Sequence, residues 1–119
     1  MATLKRAQEQ SISMEVNSIE AQKRALHTYP QGYLRTSFDL LVQTLGTPQG
    51  GNDPKTTAVW YLLADDLASW TVYDYRAGCQ PADNVDWYIG GHYPAALSHA
   101  QKLFQPSGGI VTRHTVETA

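Results

Sequence analysis

The sequence predicts an α+β fold, an antiparallel β-meander of at least three strands packed against two to three helices. Three runs rich in β-branched and aromatic residues follow one another between residues 56 and 89, as in consecutive strands. Amphipathic helical patterns flank these runs, at 38–45 and from residue 94 to 104. A chain of 119 residues buries one core, so we expect a single domain with its core at 37–104.

The two ends of the chain are less regular in pattern. Apolar residues alternate with polar ones at Ile12, Met14 and Val16, which is the period of a strand. We therefore expect residues 1–16 to form an edge strand or an extended arm. Residues 107–119 begin with Ser107, Gly108 and Gly109 and are predicted to be a flexible tail, in which residues 110–119 could instead form a short extra strand.

A helix is predicted between residues 18 and 27. Asn17 stands three residues before Glu20, a capping-box spacing that satisfies free amides at a helix start. A proline and a glycine follow at 28–33, and this segment is predicted to be a loop.

The central elements have clearer boundaries. Ser37 is a suitable N-cap for a helix at 38–45, and Gly46 follows its last turn. Strands are predicted at 56–64, 69–76 and 85–89, with the first two joined as a hairpin. Pro94 suits the first position of the last helix.

Composition excludes several classes of protein. The net charge is −2, and the nine Lys and Arg residues are scattered, so nonspecific nucleic-acid binding is not expected. The single cysteine, Cys79, cannot form an internal disulfide, and no apolar run is long enough to span a bilayer. We expect a cytoplasmic protein that does not enter membranes. The four histidines are dispersed, and neither a metal nor another cofactor is predicted.

The glycine pair after the third strand is a candidate ligand site. Gly90, Gly91 and His92 lie between a strand and a helix, where free amides and an imidazole favour an anion such as a nucleotide phosphate. Tyr88 and Tyr93 would supply a stacking surface. Such binding should weaken with added salt and as the imidazole loses its proton. The alternative is that the glycines serve only a sharp turn or close packing.

The aromatic residues are the most distinctive part of the composition, with three tryptophans and seven tyrosines. In a strand, successive side chains point to opposite faces. We expect Trp60, Trp70 and Trp87 to fill the core, and tyrosines to line the other face. Tyr61, Tyr73 and Tyr75 are therefore predicted interface residues, because tyrosine suits protein interfaces. This much aromatic surface also predicts a homodimer.

An enzymatic alternative rests on two aspartates. Asp74 and Asp86 lie inside predicted strands, where Asp is depleted. If adjacent strands brought them to one face, the pair could serve a small hydrolase. Asp65, Asp66 and Asp83 lie in predicted turns, where Asp bonds nearby backbone amides without any catalytic role.

From Ser37 to Phe104, the order of elements resembles a group of small accessory proteins encoded by tailed bacteriophages. The residues that carry the resemblance are the helix Phe38 to Leu45 closed by Gly46-Thr47-Pro48, Lys55-Thr56-Thr57-Ala58-Val59-Trp60, Tyr73-Asp74-Tyr75-Arg76 and Asp86-Trp87-Tyr88-Ile89-Gly90-Gly91. The chain departs from that pattern at the hairpin turn, where Asp-Gly is usual, and at Tyr88, where histidine is common.

The resemblance implies a phage accessory protein that acts by binding. Such proteins often inhibit or sequester a host component, either a defence protein or its nucleotide signal. No catalytic residue is implied. A host protein or a small nucleotide is therefore the expected partner.

Overall fold

The computed structural model describes residues 14–50, 55–64, 68–75 and 77–113. It confirms the α+β class, as one six-stranded antiparallel sheet with three helices. The elements are β1 (Met14–Val16), α1 (Ile19–Arg24), β2 (Tyr29–Arg35), α2 (Phe38–Leu45), β3 (Thr56–Ala64), β4 (Ser69–Tyr75), β5 (Asp86–Gly91), α3 (Ala95–Phe104) and β6 (Ile110–Arg113). The strand order is β1-β3-β4-β5-β2-β6.

The predicted meander forms the middle of this sheet. Strand β4 pairs with β3 on one side and with β5 on the other. The pairing of β3 with β4 shifts register between Thr56 and Val59, where β3 has one extra residue. This is a β-bulge, and it determines which of the β3 residues after Val59 face the core.

The core lies on one face of the sheet, beneath helices α2 and α3. Trp60, Trp70 and Trp87 are fully buried there, as predicted. The rings of Trp60 and Trp87 meet edge to face at 5.6 Å, and Phe38 of α2 stacks on Trp87 at 6.2 Å. Beyond these rings, the core contains apolar residues of the helices and outer strands, namely Met14, Leu34, Leu41, Leu45, Ala96, Ala100, Leu103 and Phe104. Because Met14 and Leu34 belong to the core, the core extends beyond the predicted residues 37–104.

The segment predicted as a loop at 28–33 is instead part of β2, so that prediction is wrong. The strand lies between β5 and β6, and its pairing with β5 shifts register between Pro30 and Gly32. Pro30 lies outside the described pairing of β2 with β6, in which Gly32 pairs with Arg113, the last residue described there. Among the described residues no strand lies beside Pro30 on that side, and a proline is tolerated at such a position because it interrupts no ladder there.

The first helix is shorter than predicted and begins one residue later. Ser18, rather than Asn17, is its N-cap, and the Ser18 hydroxyl accepts a hydrogen bond from the Ala21 amide at 3.0 Å. Asn17 has φ +58° and serves another purpose, because its backbone and side chain pair with Tyr61 of β3. The helix ends at Arg24, not at residue 27.

The other predicted boundaries agree with the structure within one or two residues. Ser37 caps α2, accepting a hydrogen bond from Leu40 at 3.1 Å, and Gly46 ends that helix. Pro94 is the N-cap of α3 rather than its first residue. The edge strand β1 and the C-terminal strand β6 both form, while residues 1–13, 114–119 and the hairpin turn at 65–67 lie outside the described part.

Candidate functional site

A row of tyrosines crosses the face of the sheet opposite to α2 and α3. Tyr73 of β4 pairs with Tyr88 of β5, which pairs in turn with Tyr33 of β2. Each alternates along its strand with a buried core residue, so all three point away from the core. Tyr75 lies two residues after Tyr73 on the same side. We call these four residues, Tyr33, Tyr73, Tyr75 and Tyr88, the tyrosine face.

The rings of the tyrosine face pack against one another. Tyr73 and Tyr88 stack with centroids 5.4 Å apart, and Tyr33 meets Tyr88 at 5.3 Å. Tyr75 approaches Tyr88 edge-on at 6.1 Å. Contacts of this kind stabilise by about 0.5–1.5 kcal/mol each beyond the burial of area. The rings are therefore held in place before any partner arrives.

The phenol of Tyr73 remains protonated at physiological pH. Burial raises the pKa of Tyr73 to about 12, with smaller contributions from the neighbouring phenols of Tyr88, Tyr33 and Tyr75. A neutral phenol both donates and accepts hydrogen bonds. The tyrosine face thus combines flat apolar rings with hydroxyl groups.

One ion pair borders the tyrosine face. Arg35 of β2 donates to both carboxylate oxygens of Asp86 on β5, at 2.9 and 3.2 Å. Both side chains are more than half exposed, so the pair adds at most about 1 kcal/mol to stability. The charges of Arg35 and Asp86 offset each other, so the ion pair adds little net charge at the border of the tyrosine face.

Helix α1 crosses the same face of the sheet at its other end. Ser69 and His92 both hydrogen-bond the Arg24 carbonyl oxygen, at 2.7 Å each. Ser69 precedes the core residue Trp70 on β4 and so points to the tyrosine side. Tyr61 of β3 lies between α1 and the tyrosine face, diagonal to Tyr73.

The predicted interface residues Tyr61, Tyr73 and Tyr75 thus share one face, together with two neighbours that were not predicted to lie there. Tyr33 was assigned to a loop, and Tyr88 to the glycine-turn site. The alternation of Tyr33 and Arg35 around the apolar Leu34 was the signal that could have found Tyr33.

At the glycine pair, the structure shows close packing rather than an open cradle. Gly90 and Gly91 are both inside β5. A Cβ on Gly90 would lie 2.5 Å from the Thr71 hydroxyl oxygen, and a Cβ on Gly91 would lie 2.8 Å from the Ala96 Cβ. Each glycine therefore allows a neighbouring element to approach one face of the strand.

The other members of that predicted site are divided between two places. Tyr88 belongs to the tyrosine face, whereas Tyr93 lies near His92, with ring centroids 6.5 Å apart. His92, Tyr93, Arg24 and Ser69 line a cavity of about 200 Å³ beside the start of α3. The polar groups of this cavity engage one another, since Ser69 and His92 bond the Arg24 carbonyl and Arg24 bonds Glu20 at 2.6 Å.

The two aspartates of the hydrolase alternative point to opposite faces of the sheet. Asp74 faces the core, is 2% exposed and accepts hydrogen bonds from the amides of Thr57 and Ala58. Asp86 lies on the tyrosine side and pairs with Arg35. The structure therefore does not assemble the paired carboxylates that such a hydrolase needs.

Metal ligands are not grouped in the described residues, where no three His, Cys, Asp or Glu side chains are placed to hold an ion. Cys79 is exposed. In the same part of the chain, no helix is both long and apolar enough to cross a membrane.

Comparison of the chain with protein-family models, with curated proteins and with solved structures found no match.

Proposed function

We propose that this protein is a non-enzymatic binding protein whose contact surface is the tyrosine face. The observation that carries the proposal is the row of tyrosine rings across β4, β5 and β2, packed at 5.3 and 5.4 Å on the side of the sheet away from α2 and α3. Tyr33, the outermost of the row, is 36% exposed. Its partner is a protein.

Protein binding suits this surface for an energetic reason. Ordering a free side chain at an interface costs about 0.5–1.5 kcal/mol. The rings of Tyr73 and Tyr88 are already held by their neighbours, so little of that cost remains. Tyrosine also contributes both apolar area and a hydrogen-bonding tip, which is why it is common among residues that dominate binding energy.

The resemblance to phage accessory proteins supports a host factor as the partner. In this proposal, the domain binds a host protein, such as a defence component, and inhibits or sequesters it by covering its surface. No step of the proposal requires a reaction. The predicted homodimer stays a prediction.

Capture from host lysate with quantitative mass spectrometry tests this function. Tyr33→Ala should weaken the affinity of the captured partner by tenfold or more, because truncating a tyrosine that is buried at an interface costs about 2 kcal/mol. Tyr93→Ala is the matched control, since Tyr93 is an exposed tyrosine outside the tyrosine face. Equal binding by the wild type and Tyr33→Ala, or an equal loss with Tyr93→Ala, would show that the tyrosine face is not the contact surface.

A second candidate function is binding of a small anion such as a nucleotide. His92 and Tyr93, two members of the predicted anion site, line one cavity beside the start of α3, and this proximity favours it. Calorimetry against mono-, di- and cyclic nucleotides should then show a binding heat that falls with added salt and is lost in His92→Ala. Lys102→Ala, on the exposed side of α3, should bind as the wild type does. Gly91→Val is unsuitable here, because its side chain would displace α3.

A further inference from the structure

Between α1 and the sheet lies a groove of about 400 Å³, distinct from the cavity beside His92. We call it the α1 groove. Its lining residues are Gln22, Lys23, Ala25, Leu26, His27 and Tyr61. Pockets of about 300–1,000 Å³ are typical of sites that enclose ligand groups.

The α1 groove continues the tyrosine face. Tyr61 pairs with Thr71, and Val59, two residues earlier, pairs with Tyr73. Residues two apart on one strand point to the same face, so the ring of Tyr61 is on the side of Tyr73. A partner that covers the tyrosine face therefore reaches the α1 groove with its next few residues.

The groove has an apolar wall that faces solvent. Leu26 is 64% exposed and lines the groove together with the partly buried ring of Tyr61. Burial makes the Tyr61 phenol harder to ionise and raises its pKa, so that the ring stays neutral. Covering Leu26 and the Tyr61 ring with an apolar side chain would remove both from water.

The charge at the groove has one sign. Lys23 lines it beside His27, and none of the described lining residues is acidic. The nearest acid on the helix, Glu20, is paired with Arg24 at 2.6 Å. Glu15, on the same side of the sheet, pairs in register with Leu63 and is not part of the lining.

From this complementarity we infer that the α1 groove binds a linear, acidic segment of the partner protein, in which an apolar side chain is flanked by Asp or Glu. The apolar side chain packs on Leu26 and Tyr61, and a carboxylate pairs with Lys23. A single lysine and a histidine do not make the series of phosphate contacts that nucleic-acid binding requires. This inference rests on the proposed function, because it places the segment in the partner that covers the tyrosine face.

Selection from a library of random linear peptides on the immobilised protein tests the inference. We expect the retained peptides to combine Asp or Glu with a neighbouring Leu, Phe or Trp. For synthetic, labelled versions, Lys23→Glu should weaken binding by about tenfold, through loss of the pair and added repulsion. Leu26→Ser should weaken it by about tenfold through the lost apolar contact.

Lys102→Glu is the matched control, because it makes the same charge change on the exposed side of α3. It should leave the peptide affinity within about twofold, as expected for a distant exposed charge. Enrichment of basic peptides, an equal loss with Lys102→Glu, or competition by single-stranded oligothymidylate that depends on Lys23 would overturn the inference.

The same variants separate this inference from the proposed function. If the captured host protein is lost with Tyr33→Ala but retained with both Lys23→Glu and Leu26→Ser, the binding function stands and the groove is not used. If Lys23→Glu and Leu26→Ser each weaken both the selected peptides and the host protein, the groove is confirmed as the site of the acidic segment. When the peptide is added to the labelled protein, nuclear magnetic resonance should then show shifts in the amide signals of Leu26 and His27.

Discussion

Asp74→Ala is expected to lower the free energy of unfolding by about 2–4 kcal/mol, because two backbone amides at the bulge lose their acceptor. One carboxylate oxygen of Asp74 accepts from the amides of Thr57 and Ala58, at 2.9 and 2.8 Å. Its other oxygen is buried with no hydrogen-bond partner among the described residues. Denaturant unfolding followed by tryptophan fluorescence measures the change.

Asp74→Asn is the control for this prediction. Its amide oxygen can still accept from both bulge amides, so we expect a loss of about 1 kcal/mol or less. Unfolding of Asp74→Ala at the same denaturant concentration as the wild type would show that the bulge does not depend on this carboxylate. The comparison also bears on the hydrolase alternative, since loss of activity in an unfolded Asp74→Ala would say nothing about catalysis.

The bulge has a consequence for the binding surface. Before it, Thr56 pairs with Tyr75, and after it, Trp60 pairs with Val72 and Tyr61 with Thr71. If β3 continued from Thr56 in regular pairing, without the bulge, Trp60 would stand opposite Thr71 and face away from the core, since a slip of one residue turns every side chain to the other face. Asp74 therefore supports the register that places Tyr61 beside the tyrosine face.

Asn17→Ala should destabilise the fold by about 2–4 kcal/mol, from two lost side-chain hydrogen bonds and a left-handed backbone that alanine adopts poorly. The Asn17 side chain accepts from the Tyr61 amide at 2.8 Å and donates to the Thr47 carbonyl at 3.1 Å. Its φ is +58°. These bonds join the start of α1 to β3 and to the segment after α2.

Asn17→Gly separates the two causes. Glycine tolerates the positive φ but lacks the side-chain bonds, so it should be about 1 kcal/mol more stable than Asn17→Ala and still weaker than the wild type. Equal stability of the two variants, measured by the same denaturant unfolding, would mean that the backbone conformation contributes nothing. Because Asn17 bonds the backbone of Tyr61, both variants should also change the α1 groove.

Much of the candidate surface follows from alternation along single strands. This alternation predicted that three tryptophans lie in the core and that three tyrosines lie on the other face. Both placements are confirmed, for Trp60, Trp70 and Trp87 and for Tyr61, Tyr73 and Tyr75. Each assignment depends only on residues next to one another in the chain. Such local patterns survive in the fold because every second side chain of a half-buried strand meets the same environment.

Alternation along one strand does not predict the register between two strands or which strands are neighbours. Whether Asp74 and Asp86 share a face depends on the register between β4 and β5, and one residue of slip reverses the answer. The strand that contains Tyr33 was assigned to a loop, because its proline and glycine predict a break. It forms a strand because β5 and β6 lie on its two sides and supply hydrogen-bond partners.

By itself, therefore, the sequence determined the fold class, the amphipathic helices, the tryptophan core and the existence of a tyrosine-lined face. Only the tertiary structure decided that Tyr33 and Tyr88 complete that face, that Asp74 caps a bulge, and that α1 forms a groove beside Tyr61. The physical reason is that helical and strand periodicity is set by neighbours along the chain. Strand order, register and the placement of α1 are set by contacts between residues far apart in it, and no pattern within one segment contains them.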